Sequence, residues 1–422
     1  MASRRGFIKS GALAVLGISA GSIPAFIARA AGSLKCIQPY KKHKVLICIF
    51  QRGAMDGLMA VSPFTDTYLQ AARPQLFIPA TKDGKSAPLI DLDGRFGLHP
   101  GMKPLEKLFR NKQLAIVHGT GSPNNSRSHF DAQDFMESGI PFDKGALSGW
   151  LNRASGLLDH EASPFRSVSF TNSMPRSFYG YNPAIAIHNL QDFAIGGRGT
   201  VQGVNLAARS FEDLYDQTTA GLLKDTGKET FEAVKMLEKI NTGKYLPENG
   251  SVYPATPLGN ALKQIAQMIK SDVGLEIGFA ESTGWDTHYK QGTENGVFAR
   301  SAMDLASCLD AFWTDLGDTW QDEVTIMTMT EFGRTVKQNG SGGTDHGRGS
   351  CNFILGNNVH GGLVHGVVQP LAVENLEDGR DLAVTTDFRA VFSEVADKHL
   401  KIHNDAVLFP GWNGSHINLL RT

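Results

Sequence analysis

Cysteine is scarce, with four in 422 residues and no Cys-x-x-Cys pair. That excludes a thiolate zinc knuckle and a dithiol redox motif. Cys36, Cys48, Cys308 and Cys351 allow three complete pairings, and the sequence does not choose among them. Cys48 lies inside an apolar run and is expected as a buried thiol. There is no basic excess, since 41 Lys and Arg face 42 Asp and Glu, so nucleic acid is not an expected partner. No Gly-x4-Gly-Lys-Ser/Thr loop occurs, which removes P-loop nucleotide chemistry. No Pro/Ser-rich linker or long charge run divides the chain, so one large domain is expected.

What is present begins with Arg4-Arg5, followed by an apolar stretch of small residues over 11–26 and Ala28-Arg29-Ala30. This is the pattern of a twin-arginine signal peptide over residues 1–30, with an A-x-A cleavage site. The stretch is short, rich in Gly, Ser and Ala, and broken by Pro24, so it predicts no stable membrane span in the mature chain. The expected location is periplasmic or otherwise exported, with the twin-arginine translocase as a transient partner. That route carries folded proteins, so a metal could be loaded before export. Gly17-Ile18-Ser19-Ala20-Gly21 matches the serine-hydrolase elbow, but it lies in this leader and carries no chemistry.

Residues 44–50, 114–118, 273–279 and 324–329 are continuous apolar runs, the mark of strands buried on both faces. Helical patterns lie between them, at 104–109, 131–136, 257–270 and 301–313. Shorter strands are expected at 167–170, 184–187 and 352–355, and helices at 207–215 and 230–239. Thr386 or Asp387 is expected to cap a helix. Strands alternating with helices predict an α/β fold with a mostly parallel sheet. Residues of about 150–250 carry no ligand cluster and are expected to form an insertion or cap.

Each major strand runs into polar residues. Asp56 follows the first, Ser126 to His129 the second, Asp286 and His288 the third, and Glu331 the fourth, with Asp345-His346 beyond a glycine-rich loop. Strand ends are where α/β sheets place ligands. Asp286 and His288 share one side of an extended chain, a two-donor arrangement for a divalent ion. Asp56 could equally make an Asp-Gly turn. Ser126 and Ser128 sit where a helix N-terminus favours an anion. Either could act as a nucleophile, or simply cap the helix. Carboxylates, imidazoles and a hydroxyl together suit divalent metals acting on a phosphoryl or sulfuryl group, with Arg127, Arg52 or Arg334 balancing its charge.

Five motifs carry a resemblance: Arg52-Gly53-x-x-Asp56-Gly57-Leu58, Ser128-His129-Phe130-Asp131, Gly284-Trp285-Asp286-Thr287-His288, Glu331-Phe332-Gly333-Arg334 and Gly343-Thr344-Asp345-His346-Gly347. The chain resembles the DUF1501 family, twin-arginine-exported proteins assigned to the alkaline phosphatase superfamily and often loosely labelled sulfatases. The resemblance implies a three-layer αβα fold, alkaline-phosphatase-like, over residues 31–422. It implies metal ligands among Asp56, His129, Asp286, His288, Glu331, Asp345 and His346. Zinc is the first expectation, with calcium, manganese or magnesium as alternatives. Asn125-Ser126 resembles the nucleophile of the cofactor-independent phosphoglycerate mutase branch, which makes Ser126 the leading nucleophile, with Ser128 and Ser122 in reserve. No Cys-x-Pro-Ser-Arg occurs, so a formylglycine sulfatase mechanism is not implied.

One departure stands out. The superfamily has adjacent Asp-His where this chain has Glu331-Phe332, and Phe cannot ligate. Its adjacent Asp-His comes fourteen residues later, so either the loop folds back or one metal site is incomplete. Two expectations follow: an exported metal-dependent hydrolase of phosphate or sulfate esters, with an anionic small molecule or glycan as substrate, or a non-catalytic periplasmic binding or scaffold protein on the same fold with an incomplete metal site.

Overall fold

A computed structural model describes residues 43–81, 87–190 and 245–421. The leader, Cys36 and the helices expected at 207–215 and 230–239 lie outside the described residues. Twelve strands are present among them: β1 (Val45–Gln51), β2 (Val61–Ser62), β3 (Ile90–Asp91), β4 (Gly97–Leu98), β5 (Leu114–Gly121), β6 (Ser167–Ser169), β7 (Ile185–Ala186), β8 (Ile277–Ser282), β9 (Val324–Met329), β10 (Ser350–Leu355), β11 (Val364–His365) and β12 (Thr386–Asp387). The main sheet has the order β11-β5-β10-β9-β1-β8-β6-β7, with β12 also on β5. β10 runs antiparallel to both its neighbours. The other pairings of this sheet are parallel, so the mixed α/β class with a mostly parallel sheet is as expected.

β1 lies at the centre, with Cys48 opposite Phe279 of β8 and Met327 of β9. Alternate side chains enter different cores. Val45, Ile47 and Ile49 join one apolar cluster, and Leu46, Cys48 and Phe50 join the other. The first cluster is closed by α1 (Lys103–Arg110) and by two helices whose ranges follow below. α2 (His129–Ser138) leads into the site, and α3 (Trp150–Leu157) packs on the second cluster. α4 (Pro257–Lys270) and α5 (Val297–Gln321) complete the first layer, and α6 (Phe388–Lys398) the second. Helices therefore cover both faces, which is why the strands read as unbroken apolar runs. No helix among the described residues is long and apolar enough to cross a membrane.

Two expectations shift. The strand expected at 273–279 begins at Ile277, because Gly274 turns with φ of 77° and Glu276 is held by Arg166. Residues 150–187 are not a cap, since they supply α3, β6 and β7 to the main layers. Asp387 caps α6, accepting from the N–H of Arg389. Cys48, Cys308 and Cys351 are buried free thiols.

Three histidines are buried, and in two of them, His118 and His99, the hydrogen bonds require the neutral ring. His118 donates to the carbonyl of Val61 and accepts from the N–H of Gly119. His99 bonds Thr293 and Gly101 in the same way, and His399 bonds Val45 and the hydroxyl of Thr325. Burial lowers each imidazole from 6.5 to about 4. The unfolded chain therefore takes up protons that the fold refuses, and stability is lost as pH falls from about 6.5 towards 4. Each histidine contributes at most about 3 kcal/mol. Urea midpoints recorded across that window should fall steeply, and His399→Gln should flatten the fall by about one proton.

Candidate metal centre

The site forms at the C-terminal ends of β1, β5, β8 and β9. Four side chains converge there. His129 opens α2, directly after the loop that follows β5. Asp286 and His288 lie on the loop after β8, and His346 on the far side of the glycine-rich loop. His129, Asp286 and His346 each offer a donor atom within 4.8 Å of the others. His288 Nε2 is 2.8 Å from His346 Nε2 and 3.2 Å from Asp286 Oδ1. Asp286 lies 3.6 Å from His346 Nε2 and 3.7 Å from His129 Nε2. A tetrahedral ion with bonds of about 2.1 Å holds its donors roughly 3.4 Å apart, so the spacing suits one divalent cation.

The outward nitrogens strengthen this reading. His129 Nδ1 donates to Glu331 at 2.9 Å, His288 Nδ1 to Asp345 at 3.0 Å, and His346 Nδ1 to the carbonyl of Arg127 at 2.8 Å. Each ring thus engages an acceptor outward through Nδ1 and turns its Nε2 inward, the arrangement of metal-bound histidines. His129 Nε2 is buried with no hydrogen-bond partner. Two lone pairs 2.8 Å apart, beside an orphaned third and a carboxylate, repel unless a cation or proton lies between them. The residues fit a metal of the zinc type, which takes imidazole and carboxylate donors.

Arg334 fixes the carboxylate. Its guanidinium is buried, donates to Asp286 at 2.6 Å, and also donates to the carbonyls of Gly53, Ala54, Trp285 and Thr344. Burial alone would raise the Asp286 carboxyl, but Arg334 outweighs it and holds the group below the usual carboxylate range. Glu331 is lowered in the same contest, with burial opposed by hydrogen bonds from His129, Gln133 and the Gly53 N–H. Its hydrogen bond to Glu331 raises the His129 imidazole, while burial lowers that of His346.

The glycine-rich loop does fold back. Arg334 and His346 form an antiparallel bridge, and Gly347 N–H donates to Gly333 at 2.8 Å. Gly343 passes so close to His288 that a Cβ would sit 2.4 Å from that residue's backbone. Gly53, at φ of 112°, lies where a Cβ would stand 2.5 Å from the Asp286 nitrogen. Phe332 walls the site, its ring 5.1 Å from His129 and 4.9 Å from His346.

Four sequence expectations are placed differently. Asp56 does not join the cluster. Its carboxylate is fully buried and accepts from Arg73 through both oxygens, from Gln291 at 2.7 Å and from the N–H of Met59. These donors occupy its lone pairs, and Arg73 supplies the positive charge that a second ion would have brought. Glu331 and Asp345 orient histidines instead of facing the centre, because each is tied to a Nδ1. The Arg127 guanidinium turns away to Asp378 and Asp381, and only its carbonyl serves the site. Arg52 is likewise engaged by Glu137 and Glu281. Ser126 accepts from the N–H of Ser128 at 3.2 Å, and Ser128 caps α2 without a side-chain bond.

Sequence reading missed Gln133, Gln291, Arg73 and Asn339. Gln133 had a signal: it stands four residues after His129 on one helix face, and both reach Glu331. Arg73 lies in a segment with no pattern pointing to Asp56.

Fold and site together define a mixed α/β protein with one candidate metal centre at the strand ends. The chain belongs to the DUF1501 family, whose profile, described as a protein of unknown function, matches residues 43–408. No curated protein matches it. Among solved structures it is similar to the PH0037 protein from Pyrococcus horikoshii, at 12% identity and a TM-score of 0.28, over 75% of this chain and 86% of that one. A likeness that weak carries no argument about either fold or activity.

Three substitutions test centre and support. Asp286→Ala should remove the zinc equivalent held at this centre, and should also lower the unfolding free energy of the metal-free protein by leaving the buried Arg334 without its counter-charge. Asp56→Asn should keep the zinc but cost about 3–5 kcal/mol in denaturant unfolding, by stranding Arg73. Glu331→Gln should weaken zinc about 10- to 100-fold in a chelator competition.

Proposed function

We propose that this chain is an exported, metal-dependent hydrolase of phosphate or sulfate esters, on an alkaline-phosphatase-like version of its α/β fold. The observation that carries the reading is the three imidazoles with outward-tied Nδ1 atoms and converging Nε2 atoms, beside a carboxylate, at the C-terminal edge of a parallel sheet. His129, Asp286, His288 and His346 would hold one divalent ion, zinc first. Such an ion supplies positive charge to the oxygens of an anionic ester. The side chains of Asp286 and His288 are 49% and 42% exposed, so a substrate can reach that side.

Ser126 is the proposed nucleophile. The Ser128 N–H that donates to its oxygen would stabilise the charge it gains on losing its proton. Ser128, exposed and unbonded through its side chain, is the reserve. Substrate anions would not meet the guanidinium of Arg127, which is already paired. The substrate class is an anionic small molecule or a glycan ester. Export by the twin-arginine translocase rests on Arg4-Arg5 and the apolar leader behind them.

A second reading has its own support. Four protein donors can close a tetrahedral ion, and Arg73 neutralises Asp56, so one metal would be held without an open position. On that reading the protein binds or scaffolds and does not turn over. Untagged protein should be analysed for metal and assayed with aryl phosphates and aryl sulfates. The hydrolase reading expects turnover that needs the bound equivalent and falls at least 100-fold in Ser126→Ala with metal retained. Loss in Ser128→Ala alone moves the nucleophile. A full equivalent of metal with no turnover of either ester supports the binding protein.

A further inference from the structure

A second cluster lies at the opposite edge of the sheet. His43 precedes β1 by two residues, Glu276 precedes β8 by one, and His160 lies on the connection from α3 to β6. β6, β8 and β1 are neighbouring parallel strands, so all three residues gather at their N-terminal ends. A strand of seven residues separates this edge from the candidate centre, roughly 20 Å away.

The His43 and His160 rings stack with centroids 4.1 Å apart and planes 7° from parallel. His160 Nε2 is 2.8 Å from Glu276 Oε2. Glu276 is buried, and Arg166 takes its other oxygen at 2.9 Å. Donor atoms of His43, His160 and Glu276 all lie within 4.8 Å of one another. A small crevice lined by His43, Asp272 and apolar side chains opens beside His43.

We propose that His43, His160 and Glu276 form a second metal site for a zinc-like divalent cation, which clips the start of β1 to β8 and to the connection before β6. Two imidazoles and a carboxylate suit a borderline cation better than calcium or magnesium, which prefer all-oxygen sets. A tetrahedral ion wants donors about 3.4 Å apart, so closure asks for movements of roughly 1 Å. Arg166 takes one oxygen of Glu276 and leaves the other facing His160. The site is structural in role. An ion bound only by the folded state stabilises it by mass action, at the point where residue 43 joins the sheet.

The test uses untagged full-length protein and zinc alone, with a chromogenic chelator counting equivalents. Wild type should bind two. Asp286→Ala should bind one, with a melting temperature that rises on adding zinc. Adding His43→Ala should remove that equivalent, or weaken it at least tenfold, and abolish the rise. His160→Gln in the same background should act likewise, which guards against a folding artefact at either position. Far-ultraviolet circular dichroism without metal should be unchanged by His43→Ala. If Asp286→Ala binds no zinc, or keeps its equivalent after His43→Ala, the clip does not exist. The first of those results would leave the proposed function untouched, because that reading needs only the first equivalent.

Discussion

A guanidinium shut inside the protein is the constraint on which the site depends. Arg334 is almost wholly removed from water, and a buried cation costs several kcal/mol unless its donors are met. They are met by four carbonyls, from the loop after β1, the loop after β8 and the loop after β9, and by the carboxylate of Asp286. Three loops that are distant in sequence are thereby fixed relative to one another. Asp286 is aimed as a by-product of satisfying the arginine. Beneath it, Asp56 does the reciprocal work as a buried anion, binding Arg73 and, through Gln291, the hydroxyls of Thr287 and Thr344. Two buried ions of opposite sign, each fully bonded, hold the floor from which the histidines rise.

On that floor four donors meet beside the ring of Phe332. The backfolded loop returns His346 to the sheet edge by pairing with Arg334, and the ring of Phe332 becomes packing for two of the histidines. What does not return is a second ligand set, because the Asp56 carboxylate is neutralised from within. Among the described residues, the C-terminal strand ends therefore gather one centre.

The architecture was readable where burial left a periodic trace. β1 and β9 are buried throughout because helices cover both faces, and the expected runs end within a residue of the observed strands. α4, with its proline start and one apolar face, spans the residues anticipated. Asp286, His288, His129 and His346 were legible as donor types following strands. Their division into ligands and supports was not, since it turns on which nitrogen of each ring meets an acceptor. Local pattern cannot show that Glu331 faces a histidine 202 residues away. Nor can it show Arg73 reaching Asp56, for a buried ion pair leaves no period. The strand expected from residue 273 failed for a related reason: an apolar run may fill a core without joining a ladder.

The direction of β10 bears on when such a protein can become itself. Among the described residues, β5 meets β9, β1 and β8 only through this antiparallel strand. The helix carrying His129 hangs from β5, whereas Asp286 and His288 follow β8. A ribosome delivers β10 after all of these, so the earlier segments wait for a late strand to bring them together. Until about residue 355 has emerged, no ion can find all four donors, and a centre completed last reports on the integrity of the whole chain.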